Sequence, residues 1–196
     1  MAKLLYQGHG SCRITTDKGQ VIYIDPFAGE GYDLPADWVL ISHEHHDHNK
    51  TELLTMTENT RILRAADLLK DGVYGSIEAD GIHVQAVPAY NKNHDRNACV
   101  GFILTVDNVK LYLAGDTSKT DYMAEMPALH LDYALLPMDG KYNMGVEEAM
   151  ECASIISAKH SIPIHMAPGA LFDREIAERF DVENRIILAP GEELSL

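Results

Sequence analysis

The sequence predicts a mixed α/β chain in which two β-sheets pack face to face and helices cover the outside. Three observations lead there. Short β-prone runs dominate the first half, helix-period segments gather in the second, and one strand–Asp–strand unit occurs twice. VIYID at 21–25 leads through a loop to DWVLISH at 37–43, and LYLAGD at 111–116 leads to DYALLPM at 132–138. Each copy runs strand, Asp, connection, Asp, apolar strand, loop. A duplicated β-rich unit with outer helices is the pattern of a helix-flanked sandwich. Chance similarity of two short segments is the competing explanation. The 196 residues read as one domain with two related halves, about 1–90 and 91–196.

Residues 3–7, 12–16 and 20–25 form a β-meander, broken at Gly8-His9-Gly10 and Asp17-Lys18-Gly19. A loop rich in Gly, Asp and Pro follows Asp25-Pro26. Residues 38–42 are then a continuous apolar strand, as expected of one covered on both faces. Residues 50–56 and 65–70 read as short helices. Further strands are expected at 73–78, 82–88, 100–106 and 110–114, with Asp107-Asn108 turning the last two into a hairpin. A helix at 118–125, a strand at 133–136 and a stronger helix at 146–159 come next. In that helix Ala149, Cys152, Ala153 and Ile156 share one face. A strand at 161–164, a helix at 175–180 and a closing strand at 185–188 complete the chain.

Thirty acidic residues against 16 basic ones give a net charge of −14. That balance argues against bulk duplex binding, which needs phosphate neutralisation by Lys and Arg, and against adhesion to anionic lipid. A small anionic substrate stays compatible, because two divalent cations add about four positive charges locally. Cys12, Cys99 and Cys152 are odd in number, widely spaced and without a CxxC pair, as in a reduced cytosolic protein. The N-terminus lacks the apolar stretch of a signal peptide, and no apolar run approaches the roughly 20 residues of a membrane span. The expectation is a cytoplasmic protein with a small-molecule substrate and no membrane or nucleic-acid partner. A homo-oligomer stays open.

Directly after the 38–42 strand stand His43, Glu44, His45, His46, Asp47 and His48. The pattern H-x-H-x-D-H places four ligand-type side chains in six positions of a loop. His43 and His45 can converge on one point, Asp47 and His48 on a second. Imidazole and carboxylate bind Zn²⁺, Mn²⁺ or Fe through N and O. A solvated turn that happens to be His-rich is the plain alternative.

This motif resembles the signature of the metallo-β-lactamase superfamily, and the rest of that family's pattern follows in order along nearly the whole chain. His94 stands in the PAYNKNH loop, Asp116 in AGDT, and His165 in IPIHM. The resemblance implies the four-layer αββα sandwich of that fold and two divalent metal ions, Zn or Mn with Fe as a further option. By the same analogy His43, His45 and His94 hold one metal, Asp47, His48 and His165 hold the other, and Asp116 bridges them. His83, on a strand, suits the role of His94 less well, and His160, at a helix end, suits that of His165 less well. Asp116 has helix capping as its alternative role. Asp25 is expected to orient ligands or the bridging hydroxide, with a turn before Pro26 as its alternative. Asp47, Asp116 and Asp25 are the catalytic candidates. His46 is expected to face away, and His9, in a Gly-His-Ser-type segment known from some members, has no assigned task.

The implied chemistry is hydrolysis of a small ester, lactone or phosphorylated substrate by a metal-bridging hydroxide. PAYN at 88–91, GDT at 115–117, LPMDGKYNM at 136–144 and IPIHM look like the branch of metal-dependent hydrolases related to L-ascorbate-6-phosphate lactonase, whose members are longer. Lys92, Arg96 and Lys141 are candidates to hold an anionic group, and Tyr142 and Asn143 candidate walls; ordinary solvated surface is the alternative for each. A phosphodiesterase or nuclease of the same superfamily is the competing enzyme. A non-hydrolytic di-metal redox or binding protein is the competing class.

Overall fold

The computed structural model describes residues 1–196. In chain order its strands are β1 (Lys3–Gly8), β2 (Ser11–Thr15), β3 (Val21–Ile24), β4 (Ala36–Ile41), β5 (Met56–Arg64), β6 (Leu69–Lys70), β7 (Val73–Tyr74), β8 (Ser76–Ala79), β9 (Ile82–Pro88), β10 (Val100–Val106), β11 (Val109–Leu113), β12 (Tyr133–Pro137), β13 (His160–Ile164) and β14 (Glu193–Ser195). Helices α1 (Ala65–Leu68), α2 (Val146–Ile156) and α3 (Arg174–Arg179) are joined by 3-10 turns at Thr51–Leu53 and Asp121–Leu129. The first sheet has the order β14-β1-β2-β3-β4-β5 and the second β13-β12-β11-β10-β9-β8. In each, three strands run parallel, β3 to β5 and β11 to β13, and the rest pair antiparallel.

The inner faces meet in a core of 27 buried residues, including Tyr6, Ile14, Trp38 and Leu40 from one sheet and Val84, Phe102, Leu104 and Leu135 from the other. Each large side chain taken from water there contributes about 1.5–3 kcal/mol. A second cluster of 20 residues lies outside the second sheet, where Ala149, Cys152, Ala153 and Ile156 of α2 cover Tyr112, Leu136 and Phe180. Glu147 and Glu148 sit in the first turn of α2, where negative charge offsets the helix dipole. The outer face of the first sheet carries a smaller cluster, Tyr23, Val39 and Ile41 among others, covered by Tyr32, Leu34 and Leu54. The three cysteines are buried and unpaired. No helix is long and apolar enough to cross a membrane.

Several local expectations are corrected. The helix expected at 50–56 is only the turn Thr51–Leu53, because Leu54 is already extended and Thr55 O accepts from Ala36 N at 2.9 Å. The following β5 reads polar because it is an edge strand in which only Leu63 is buried. The helix expected at 65–70 stops at Leu68, and its last two residues pair as β6 with β7. The strand expected at 73–78 is split into β7 and β8 around Gly75. The helix at 118–125 is the 3-10 turn Asp121–Leu129, and α2 ends three residues early, where Ser157 takes a left-handed conformation. The closing strand at 185–188 is reduced to a single bridge between Ser161 and Arg185. Ser161 bonds outward to Asn184 and Ile186, but the next outward-facing residue, Pro163, has no N–H to continue the ladder. The chain turns back instead and β14 closes the β1 edge.

Strand direction sets the position of the site. β1 points the same way as β3 and β4, and β9 the same way as β11, β12 and β13. The hydrogen bond from Val100 N to Ser42 O, 3.0 Å long, ties the two sheets at the end where these strands finish. Their C-terminal loops therefore share one rim.

Candidate metal centre

Each strand end on this rim delivers one part of a cluster: His9 after β1, Asp25 after β3, the 43–48 loop after β4, Asn91 and His94 after β9, Asp116 after β11, Asp139 after β12 and His165 after β13. The ligand-type atoms of His43, His45 and His94 lie within 4.8 Å of one another, as do those of His9, Asp47, His48 and His165, and those of His43, His48 and Asp116. Asp116 sits in the middle. Its Oδ1 is 3.3 Å from His48 Nε2 and 3.4 Å from His165 Nε2, and its Oδ2 is 3.2 Å from His94 Nε2.

The imidazoles share one polarity. Ser42 Oγ donates to Asp25 Oδ2 at 2.6 Å, so it accepts from His43 Nδ1 at 3.0 Å. His48 Nδ1 donates to Asp25 Oδ2 at 2.9 Å, and His94 Nδ1 to Asn91 Oδ1 at 3.0 Å. His165 Nδ1 lies 3.0 Å from Asp139 Oδ2, too bent to count as a hydrogen bond. In His43, His48 and His94 the outward hydrogen bond of Nδ1 leaves Nε2 facing inward, the arrangement by which outer partners orient metal-binding histidines.

The donors fit a metal on three counts. Nε2 of His43, His48 and His165 and Oδ1 of Asp116 are buried without a hydrogen-bond partner. Each such atom costs about 1–3 kcal/mol unless something shared satisfies it. The spacings around Asp116 match the about 3.4 Å between two donors of a tetrahedral site with bonds near 2.1 Å. The donor set is imidazole and carboxylate without thiolate, which suits Zn²⁺, Mn²⁺ and Fe alike.

Electrostatics keeps His43, His45, Asp47 and Asp116 in donor form and favours the charged form of His48, a positive charge that a metal ion beside Asp116 and Asp25 would replace. Burial, with His48 beside it, pushes the His43 imidazole down to about 2. Burial and His94 lower that of His45. For Asp116 burial favours the neutral acid, but the adjoining His48 outweighs it and holds the carboxyl well below the usual range. For His48 burial opposes the charge, and Asp116 and Asp25 overcome it and raise the imidazole. Asp47 is likewise lowered, since its His9 contact and His48 outweigh burial.

A cavity of about 530 Å³ opens over the cluster, lined by His45, Asp47, His94, Asp116 and His165 and walled by Phe27, Asn93, Tyr142 and Pro168. The structure thus brings together His43, His45, Asp47, His48, His94, Asp116 and His165. His46, expected to face away, belongs to none of the donor groups and its side chain is 81% exposed, yet it lines the mouth of the cavity. Asp25 is not at the cavity. Both its oxygens are taken by Ser42 and His48, so it positions ligands and touches no reacting atom, a correction to its place among the catalytic candidates. Lys92, Lys141 and Asn143 line a neighbouring cavity of about 350 Å³ that shares Asn93 and Tyr142 with the first. Arg96 lines neither cavity and stacks on Tyr90 at 4.8 Å. The largest cavity, about 840 Å³, lies at the other end of β13 beside His160 and holds none of the clustered donors.

Sequence reasoning missed Ser42, Asn91 and Asp139 as partners of ligand imidazoles, and Phe27 as a wall. Asp139 had a signal: it follows β12 as Asp116 follows β11 and Asp25 follows β3.

A family model described as "Beta-lactamase superfamily domain" matches residues 3–165. A "UPF0173 metal-dependent hydrolase" of Methanoregula boonei is 34% identical over 218 residues, covering 98% of this chain and 97% of its own. One from Thermococcus onnurineus is 31% identical over 231 residues, covering all of both. Among solved structures, Igni18, described as a novel metallo hydrolase from Ignicoccus hospitalis, superposes with a TM-score of 0.77 at 23% identity, over 98% of this chain and 97% of that one, a likeness of fold. With a profile match over most of its length and full-length relatives above 30% identity, the chain belongs to the metallo-β-lactamase superfamily and, within it, to the UPF0173 metal-dependent hydrolase family.

Proposed function

We propose that this protein is a dinuclear metal-dependent hydrolase acting on a small ester or lactone, phosphorylated substrates included. The observation that carries the reading is the ring of partnerless Nε2 atoms around Asp116, which has no purpose in the fold itself. In this reading His43, His45 and His94 would hold one divalent ion and Asp47, His48 and His165 the other, with Asp116 a donor available to both. Such ions, when bound, polarise the scissile carbonyl or phosphoryl oxygen and acidify water to near neutrality.

The chain's own residues supply the rest. Asp47 lines the cavity as a carboxylate and accepts the proton of the attacking water. Asn93 and Tyr142 orient the acyl group, while Phe27 and Pro168 shield it from bulk solvent. The cavity volume of about 530 Å³ suits a small molecule. The likeness of the 88–91 and 136–144 segments to hydrolases related to ascorbate-6-phosphate lactonase makes sugar lactones the first substrates to test, although the lactonases are longer and their specificity does not transfer. Lys92 and Lys141, next door, are placed to meet an anionic tail reaching past Tyr142. A cytoplasmic small-molecule substrate, with no membrane or nucleic-acid partner, agrees with the charge of −14.

The test is side-by-side hydrolysis by metal-reconstituted protein of sugar lactones, with and without phosphate, and of phosphodiesters, with His45→Ala as blank. Lactone turnover abolished by His45→Ala supports the reading. Turnover of phosphodiesters alone replaces it with the phosphodiesterase assignment, and no turnover with two metals bound removes the proposed substrate class.

A further inference from the structure

His9 lies outside that ligand set, yet it is built like a member of it. Its residue is 0% exposed, and its ring centroid is 3.6 Å from that of His165. Every other polar atom of the residue is anchored. His9 N donates to Leu171 O, and His9 O accepts from His165 N at 2.8 Å and from the Tyr6 hydroxyl at 2.9 Å. Nδ1 lies 3.1 Å from Ala170 O. A carbonyl only accepts, so Nδ1 carries the hydrogen and Nε2 of the neutral ring carries a lone pair.

That lone pair faces the cluster. His9 Nε2 is 3.2 Å from Asp47 Oδ2 and within 4.8 Å of the ligand atoms of His48 and His165. Two lone pairs at that distance repel unless a cation, a proton or a metal ion, lies between them, and 3.2 Å falls between the about 3.0 Å and about 3.4 Å that separate neighbouring donors on one ion at right-angle and tetrahedral geometry. The backbone is shaped for this placement. His9 has φ 55°, uncommon for a residue with a side chain. Gly10 leaves room for His48, whose Cε1 would be 3.0 Å from any added Cβ.

We propose that His9 Nε2 is a direct metal ligand, the fifth donor that closes the position held by Asp47, His48, His165 and Asp116. The His43–His45–His94 position is then the one with a free coordination site, since closed sites are structural and open ones catalytic. The inference rests on the dinuclear reading above.

The test uses full-length protein carrying His45→Ala, which disables the exposed position, loaded with one equivalent of Co²⁺. X-ray absorption counts the imidazoles on the metal, and a chelator competition gives its dissociation constant. The expected count is three, from His9, His48 and His165. Adding His9→Asn, a residue tolerant of the left-handed backbone, lowers the count to two and weakens binding by roughly 10–100-fold. Two imidazoles with His9 present overturn the ligand assignment and leave the dinuclear reading intact. Failure of the wild type and His45→Ala to bind cobalt overturns both. If the His9→Asn chain does not fold, the count on His45→Ala alone decides.

Discussion

The two groups of donors around Asp116 use the same chemistry but meet solvent differently. In the first group His43 and His94 are buried, at 2% and 4% exposure, but His45 is exposed and lines the cavity together with His94. In the second, His9 and His48 are 0% exposed and His165 2%, with only Asp47 and His165 reaching the cavity. The difference arises from where each group enters. The 43–48 loop starts in the core, surfaces at Glu44, His45 and His46, and dives again at His48. His9 and His165 come from strand ends stitched to each other by a backbone hydrogen bond. A ligand on an exposed loop crest can exchange its partners for substrate; one sealed between strand ends holds its partner. In the dinuclear reading proposed above, the group carrying exposed His45 is the one open to substrate, and the more buried group is the anchor, with Asp47 as its edge at the cavity.

Four variants sharpen or break that contrast. Asp116→Ala touches both groups and should have the largest effect, with hydrolysis lost and bound metal falling below about one equivalent per chain. Two metals retained in elemental analysis would end its bridging role. His45→Ala should abolish hydrolysis while keeping about half the metal, because only the exposed group loses a donor; equal loss from both positions would erase the distinction drawn here. Asp25→Asn removes one of two carboxylate oxygens shared by Ser42 and His48. It should weaken metal binding by roughly 10–100-fold at both positions, directly through His48 and through Ser42 to His43. Chelator titration reads this, and an unchanged affinity would show that Asp25 is only a turn residue. Asn91→Ala should give the smallest change, about tenfold and confined to the exposed position, since Asn91 touches His94 alone among the imidazoles. If the buried position weakened instead, the assignment of His94 would be wrong.

The legibility of these parts from sequence followed their spacing. His43, His45, Asp47 and His48 lie within six residues after an apolar strand, so a local reading sufficed. His94, Asp116 and His165 are scattered, and only the order of a resembled family picked them out. Their partners left weaker traces. Ser42 and Asn91 are ordinary polar residues whose task exists only because His43 and His94 fold back beside them. The lysine and arginine candidates divide. Lys92 and Lys141 line the cavity that adjoins the metal centre through Asn93 and Tyr142, whereas Arg96 is turned onto Tyr90.

The sequence by itself determined the two-sheet plan, the burial of β4 and of the α2 face, and the central histidine loop. All of these depend on hydrophobic period and on residues adjacent in the chain. Only the tertiary structure decided that β5 is a strand, that Pro163 ends the β13 edge and sends the chain back to β1, that Asp139 stands behind His165, and that His9 points into the cluster. Those outcomes depend on which strand ends share a rim and which backbone groups are already taken. Such facts exist only once distant segments have packed and competed for the same hydrogen bonds.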